Sequence, residues 1–269
     1  MDNSQLIRTT LIMYKECAKE ASLSLIRNWR LLVMSTTAFI TFMFAAFLVG
    51  PLGFAGSFIL GMVSITLLTY YYSWLSECTS RNTLRWEDYI VFDSSLFSPV
   101  INTAFILFIF SLLISQFGVV PNMLKVITCI NLGVFIIFSA LPEILYFHRY
   151  QGITSFVEAY NFIKDNWIEW FIPLLFFFSP LLIQNPIGLL NSLSSGDPLL
   201  PVLKFLSLFS ESLVAADFLS LTFPPLLMNL ALSFLSIVAA TWFMLFRGFL
   251  FRELESGSRR QRAFIASQR

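Results

Sequence analysis

The chain has 269 residues, of which 57% are hydrophobic and only 12% charged, about half the charged share of ordinary soluble domains. Phe alone occurs 31 times, more apolar surface than one water-soluble core of this size can hide, so the composition excludes an ordinary soluble globule and points to lipid as solvent. A net charge of +1 gives no electrostatic footprint for nucleic acid, and Cys17, Cys78 and Cys129 with a single His148 have no metal-type spacing.

Residues 1–30 carry charges throughout instead of a compact apolar run, so no signal peptide is expected. Written as a helix, residues 4–29 put Ile7, Leu11, Tyr14, Ala18, Ala21, Leu25 and Trp29 on one stripe, with Arg8, Lys15, Glu16, Lys19 and Glu20 opposite. This pattern predicts an amphipathic helix lying in the membrane interface. It ends in "IRNW" at 26–29. There the indole sits at headgroup level, the cation meets lipid phosphate, and Asn28 satisfies backbone groups where the chain turns into the bilayer.

Two apolar runs follow, at about 31–49 and 54–75, separated by the tight turn Gly50-Pro51-Leu52-Gly53. On the second, Gly53, Ser57 and Gly61 recur every four residues, a small-residue stripe for close helix packing within the bundle or in a dimer. Residues 84–97, "LRWEDYIVFDSSLF", are a weaker amphipathic segment before a third span at about 99–117. Gly118 to Pro121 turn the chain into a fourth span at about 124–147, which carries Asn131 near mid-bilayer and Glu143 about one turn inside its end, just after Pro142.

Residues 154–167 repeat the N-terminal pattern, with Phe156, Tyr160, Ile163 and Trp167 on one stripe, Glu158 and Asp165 opposite, and "IKDNW" at the close. The fifth span, about 168–184, is short and holds Pro173 and Pro180, which predict a kink or tilt. Residues 185–224 form a long apolar outer loop, with Asp197 and Pro198 starting a helix whose face is Leu199, Val202, Leu203, Leu206 and Leu213. This loop lies on the outer leaflet, caps the bundle or binds other membrane proteins. The sixth span, about 225–251, carries Asn229, and a basic tail at 253–269 holds Arg259, Arg260 and Arg262 for anionic headgroups.

Of the 17 Lys and Arg, all but Lys125 and Lys204 fall on one side of these spans, which by the positive-inside rule puts both termini in the cytoplasm. All six Trp and all eight Tyr gather towards the same side. Trp29, Trp74, Trp167 and Trp170 are read as interfacial anchors, the first, third and fourth beside the two amphipathic helices.

Polar side chains within the spans are the candidate functional residues. Asn131 and Asn229 need hydrogen-bonding partners in lipid and serve either as interhelical glue or as the lining of a polar path. Glu143 is expected to snorkel to the interface and pair with an Arg, Arg247 being near in depth; a proton or cation relay is the alternative. His148 is read as an interfacial histidine. No second carboxylate on its span, Ser–His pair, His/Glu cluster or Gly-rich phosphate loop accompanies Glu143. No catalytic, cofactor-binding or metal residue is therefore assigned, and no cofactor is expected.

The segments "SLIRNWRLL" and "FVEAYNFIKDNW", each placed before its span in a six-span layout, resemble a loose group of bacterial six-span membrane proteins of unknown function. They are also similar to the membrane domain fused to some glycerophosphodiester phosphodiesterases. No soluble phosphodiesterase domain accompanies them, so that enzyme's catalytic residues have no counterpart and the resemblance implies no activity. The sequence thus predicts an all-α integral membrane bundle of six transmembrane helices with amphipathic interfacial helices, in a bacterial cytoplasmic membrane and in contact with membrane lipids. Its three units of interfacial helix plus hairpin are either an ancestral repeat or a convergence on interface physics. A non-enzymatic scaffold or accessory subunit of a membrane complex is the expected role, with a small transporter or permease-like subunit for an apolar or lipid-like solute as the alternative.

Overall fold

The computed structural model describes residues 3–80, 83–117, 124–184, 199 and 225–256. These form eight α-helices: α1 (Asn3–Arg27), α2 (Arg30–Val49), α3 (Gly53–Ser80), α4 (Ser94–Phe117), α5 (Leu124–Ile137), α6 (Leu141–His148), α7 (Ile153–Gln184) and α8 (Pro225–Glu255). Short 3-10 turns lie at Gly50–Leu52 and Trp86–Tyr89, and no strand occurs among the described residues. Four stretches among them are long and apolar enough to cross a membrane: Arg30–Ser80, Trp86–Ile114, Lys125–His148 and Phe234–Glu255. Their length and composition are those of a membrane-embedded protein.

The Arg30–Ser80 stretch contains both α2 and α3, which pack against each other across the Gly50–Leu52 turn. Two glycines make this turn possible. Gly53 has φ +61, which a residue with a Cβ rarely adopts, and a Cβ on Gly56 would lie 2.1 Å from the Val49 carbonyl oxygen. Within α2 the hydroxyls of Ser35, Thr36 and Thr37 donate to the carbonyls of Leu31, Leu32 and Val33 at 2.7–2.8 Å. Such back-bonding lets a polar side chain reside in an apolar medium without an external partner.

Both Asn-Trp motifs mark breaks in helical geometry. Asn28 is buried between α1 and α2, its Oδ1 accepting from the Leu84 amide at 2.7 Å and its Nδ2 donating to Ser24 Oγ at 3.3 Å. Asn166 leaves helical geometry (φ −127, ψ 18) inside α7, and its Nδ2 donates to the Phe162 carbonyl at 3.1 Å. Asn166 thus meets a backbone carbonyl of its own kinked helix, whereas Asn28 ties the bend to the segment after α3.

Two expectations are corrected and one is refined. The segment 84–97 is not one amphipathic helix. The Asp88 carboxylate accepts from the Arg85 amide at 2.8 Å and closes a 3-10 turn, and Asp93 then caps the start of α4 by accepting from the Ser95 amide at 3.0 Å. The span expected at 124–147 is present as the apolar stretch Lys125–His148, but it is built of two helices, because α5 stops at Ile137, a turn covers residues 138–140, and α6 restarts with Pro142 in its first turn. Proline supplies no N–H, so the ladder cannot run through unbroken. Finally, α1 does not bury the anticipated stripe most deeply. Met13, Cys17, Ala21 and Ser24 are its buried positions, and Asn28 just beyond its end continues them, a stripe rotated by roughly 80° about the helix axis from the expected one. Cys17, Ala21 and Ser24 are small, and they let α1 lie close along α8, where Trp242 Nε1 donates to Ser22 Oγ at 3.0 Å. Burial pushes the Cys17 thiol up to about 12, with nearby Glu253 adding to the effect.

The packed core gathers at one end of the bundle, where α3 finishes, α4 begins and α6 crosses α8. Tyr71, Tyr72, Trp74, Leu75 and Cys78 are buried on the last turns of α3, whereas Phe54 on its first turn is 93% exposed. Likewise Leu96, Val100 and Thr103 on α4 are buried, and Phe105, Phe108 and Leu113 further on are exposed. So many large bare apolar side chains are untenable in water and ordinary in lipid.

Candidate functional site

The helix break at 138–140 lies inside an apolar run and places a carbonyl in surroundings of lipid type, away from bulk water. Ser139 sits in that break and is buried. Its carbonyl accepts from Arg247 Nη2 of α8. The same nitrogen donates to Glu143 Oε2 of α6 at 2.9 Å. The Glu143 side chain is 0% exposed and that of Arg247 3%. Arg247 Cζ lies 4.8 Å above the ring of Trp170 on α7, and Trp170 Nε1 donates to Ser139 Oγ at 3.0 Å. One guanidinium therefore neutralises a carboxylate, satisfies a broken-helix carbonyl and rests on an aromatic face.

Around this centre lies an aromatic shell. Phe162 meets Trp170 edge-on at 5.1 Å and Phe251 at 4.5 Å. Tyr146, one turn beyond Glu143, lies 5.9 Å from the ring of Tyr72, whose hydroxyl donates to the Leu199 carbonyl at 2.5 Å. The Tyr146 oxygen is seated against Gly248, where a Cβ would come within 2.7 Å of it. A buried ion pair of this type adds little net stability against an apolar substitute, but loss of one partner strands the other and costs about 3–5 kcal/mol. What it supplies is a fixed mutual position for α6, α7 and α8.

The Glu143–Arg247 pairing anticipated from depth is present. The snorkelling is not: Glu143 is sealed in the core, because α6 presents it to α8 and not to the interface. Trp170 is likewise corrected from an interfacial anchor to a core residue at 2% exposure, and Trp74 is also buried, with Nε1 donating to the Asp88 carbonyl at 3.3 Å. Trp29 and Trp167 are exposed, Trp167 at 58%. Trp29 meets Trp86 edge-on at 5.9 Å, and Arg30 covers the Trp86 ring while donating to the Leu84 carbonyl at 2.8 Å.

Asn131 is half-buried on α5, more than three turns of chain before Glu143 and on the other side of the helix break. Asn229 falls on the backbone of α8 at a position whose side chain lies outside the described residues, as do the 185–224 loop apart from Leu199 and the tail beyond Ser256. Gly53, Ser57 and Gly61 are exposed; a Cβ on either glycine would meet nothing within 4 Å, and Ser57 Oγ bonds back to the Gly53 carbonyl at 3.2 Å.

Sequence reasoning passed over Ser139, Trp170 and Tyr146 as partners of the pair. The available signal was Arg247 itself, a cation inside the apolar run "TWFMLFRGFLF". Nearer the surface, His148 Nε2 lies 2.6 Å from Glu255 Oε1, and Arg149 Nη2 lies 2.9 Å from Asp93 Oδ2. These contacts tie the ends of α6 and α8 and the start of α4 into one ionic rim. Among the described residues no group of three or more His, Cys, Asp and Glu could hold a metal ion. No family model, curated protein or solved structure matches the chain.

Proposed function

We propose that the protein is a six-span subunit of a membrane complex with a structural, non-enzymatic role. It sits in a bacterial cytoplasmic membrane with both termini in the cytoplasm. The six spans in this reading are α2, α3, α4, α5 with α6, the part of α7 after Asn166, and α8. The distribution of the basic residues supports the orientation. Membrane lipids are its immediate surroundings, and the apolar 185–224 segment is the surface offered to other membrane proteins.

The observation that carries this reading is the Glu143–Arg247 pair. It is closed to solvent, shared with a backbone carbonyl and a Trp ring, and joins three helices. In this reading the pair positions helices and takes no part in proton exchange. A second reading, a small transporter or permease-like subunit for an apolar or lipid-like solute, is favoured by one feature. An interrupted span beside an intramembrane charge pair is the arrangement on which many transporters build their sites. Purification in mild detergent, with co-purifying proteins identified for wild type and Glu143→Gln, separates the two. The scaffold reading expects a partner that Glu143→Gln loses together with thermal stability. A well-folded Glu143→Gln variant that keeps its partners but loses solute uptake would replace it with the transport reading.

A further inference from the structure

We propose that Glu143 Oε1 and the Tyr146 hydroxyl hold bound water between α6 and α8. This inference does not rest on the scaffold reading. Both side chains are almost wholly buried, and neither atom has a hydrogen-bond partner among the described residues. An unpaired carboxylate oxygen or hydroxyl in an apolar interior costs free energy comparable to a lost hydrogen bond, so such atoms are met by something. Tyr146 follows Glu143 by three residues and so lies on the same side of α6. Both are directed at one turn of α8. Glu143 reaches Arg247 there, and the Tyr146 oxygen abuts Gly248, the next residue. Gly248 presents bare backbone to the hydroxyl, because a Cβ there would lie 2.7 Å from Tyr146 Oη and 3.0 Å from Thr79 Cγ2.

The charges select the occupant. Arg247, 2.9 Å from Glu143 Oε2, repels a cation, and the carboxylate repels an anion. A water molecule meets every condition: it donates to Oε1, accepts from the Tyr146 hydroxyl and carries no charge.

The test turns on a sign. In the whole protein, in detergent, Tyr146→Phe removes one hydroxyl and keeps the ring. If water holds that hydroxyl, the variant loses a satisfied buried bond, and its unfolding midpoint falls by about 2–4 °C. An unchanged or raised midpoint means that the hydroxyl was an unpaired burden and overturns the proposal. An experimental structure at a resolution that shows ordered water supplies the independent arm. A density peak at about 2.7–3.2 Å from both oxygens is expected. Absence of any peak near them, or a direct Tyr146–Glu143 bond in its place, overturns the proposal whatever the unfolding result.

Discussion

The two halves of α3 behave as if they belonged to different proteins. Its first turns carry Phe54 and Phe58 bare at the surface, and its last turns bury Tyr71, Tyr72, Trp74 and Leu75 in the packed end of the bundle. The same division runs through α4. One end of the molecule is held by protein packing, hydrogen bonds and a charge pair, while the described part of the other end presents apolar side chains outward. In lipid an apolar surface gains little from protein–protein burial, so helices there need small residues or polar links to associate. The packed end has both, which concentrates structural specificity near Glu143 and Arg247.

Substitutions that break or sharpen this contrast should rank by distance from the pair. Arg247→Met strands Glu143 in the core and is expected to cost about 3–5 kcal/mol, read as thermal unfolding in detergent. A loss below about 1 kcal/mol would mean that the carboxylate is open to bulk solvent, beyond any single bound water, and that the packed end is not sealed. Gly248→Ala brings a Cβ against Tyr146 and Thr79 and should cost about 1–3 kcal/mol by overpacking. Asn28→Ala removes the acceptor for the Leu84 amide and should cost about 1–2 kcal/mol. Smallest of all, Gly61→Leu on the exposed half of α3 should stay within about 0.5 kcal/mol. A larger loss there would show that another helix packs on the Gly53–Gly61 stripe, and the contrast between the two ends would fail.

Much of the helical framework could be read from run lengths and turn residues. The apolar stretches gave α2, α3 and α4, and Gly50 to Gly53 gave the turn between the first two. What run length could not reveal was a backbone break with no change in hydropathy. Residues 124–147 are predominantly apolar on both sides of the break, yet α5 ends at Ile137 and α6 restarts with Pro142 in its first turn, leaving Ser139 in between. Nor could depth reveal facing. Trp167 and Trp170 lie at similar depth and look alike to an aromatic-belt rule, but Phe162 and Phe251 cover only Trp170. Glu143 was half legible for the same reason. Its depth suggested Arg247 as partner, while its burial depends on which way the short helix α6 turns after the break.

The most direct test of the account is a double-mutant cycle on the pair, with Glu143→Gln, Arg247→Met and the double variant compared with wild type by reversible unfolding in one detergent. If each group is buried and held by the other, the single losses should each be several kcal/mol and the double variant should regain much of them, leaving a coupling of about 2–3 kcal/mol. Losses that add without coupling, to within about 0.5 kcal/mol, would contradict the claim that this pair locks α6 to α8.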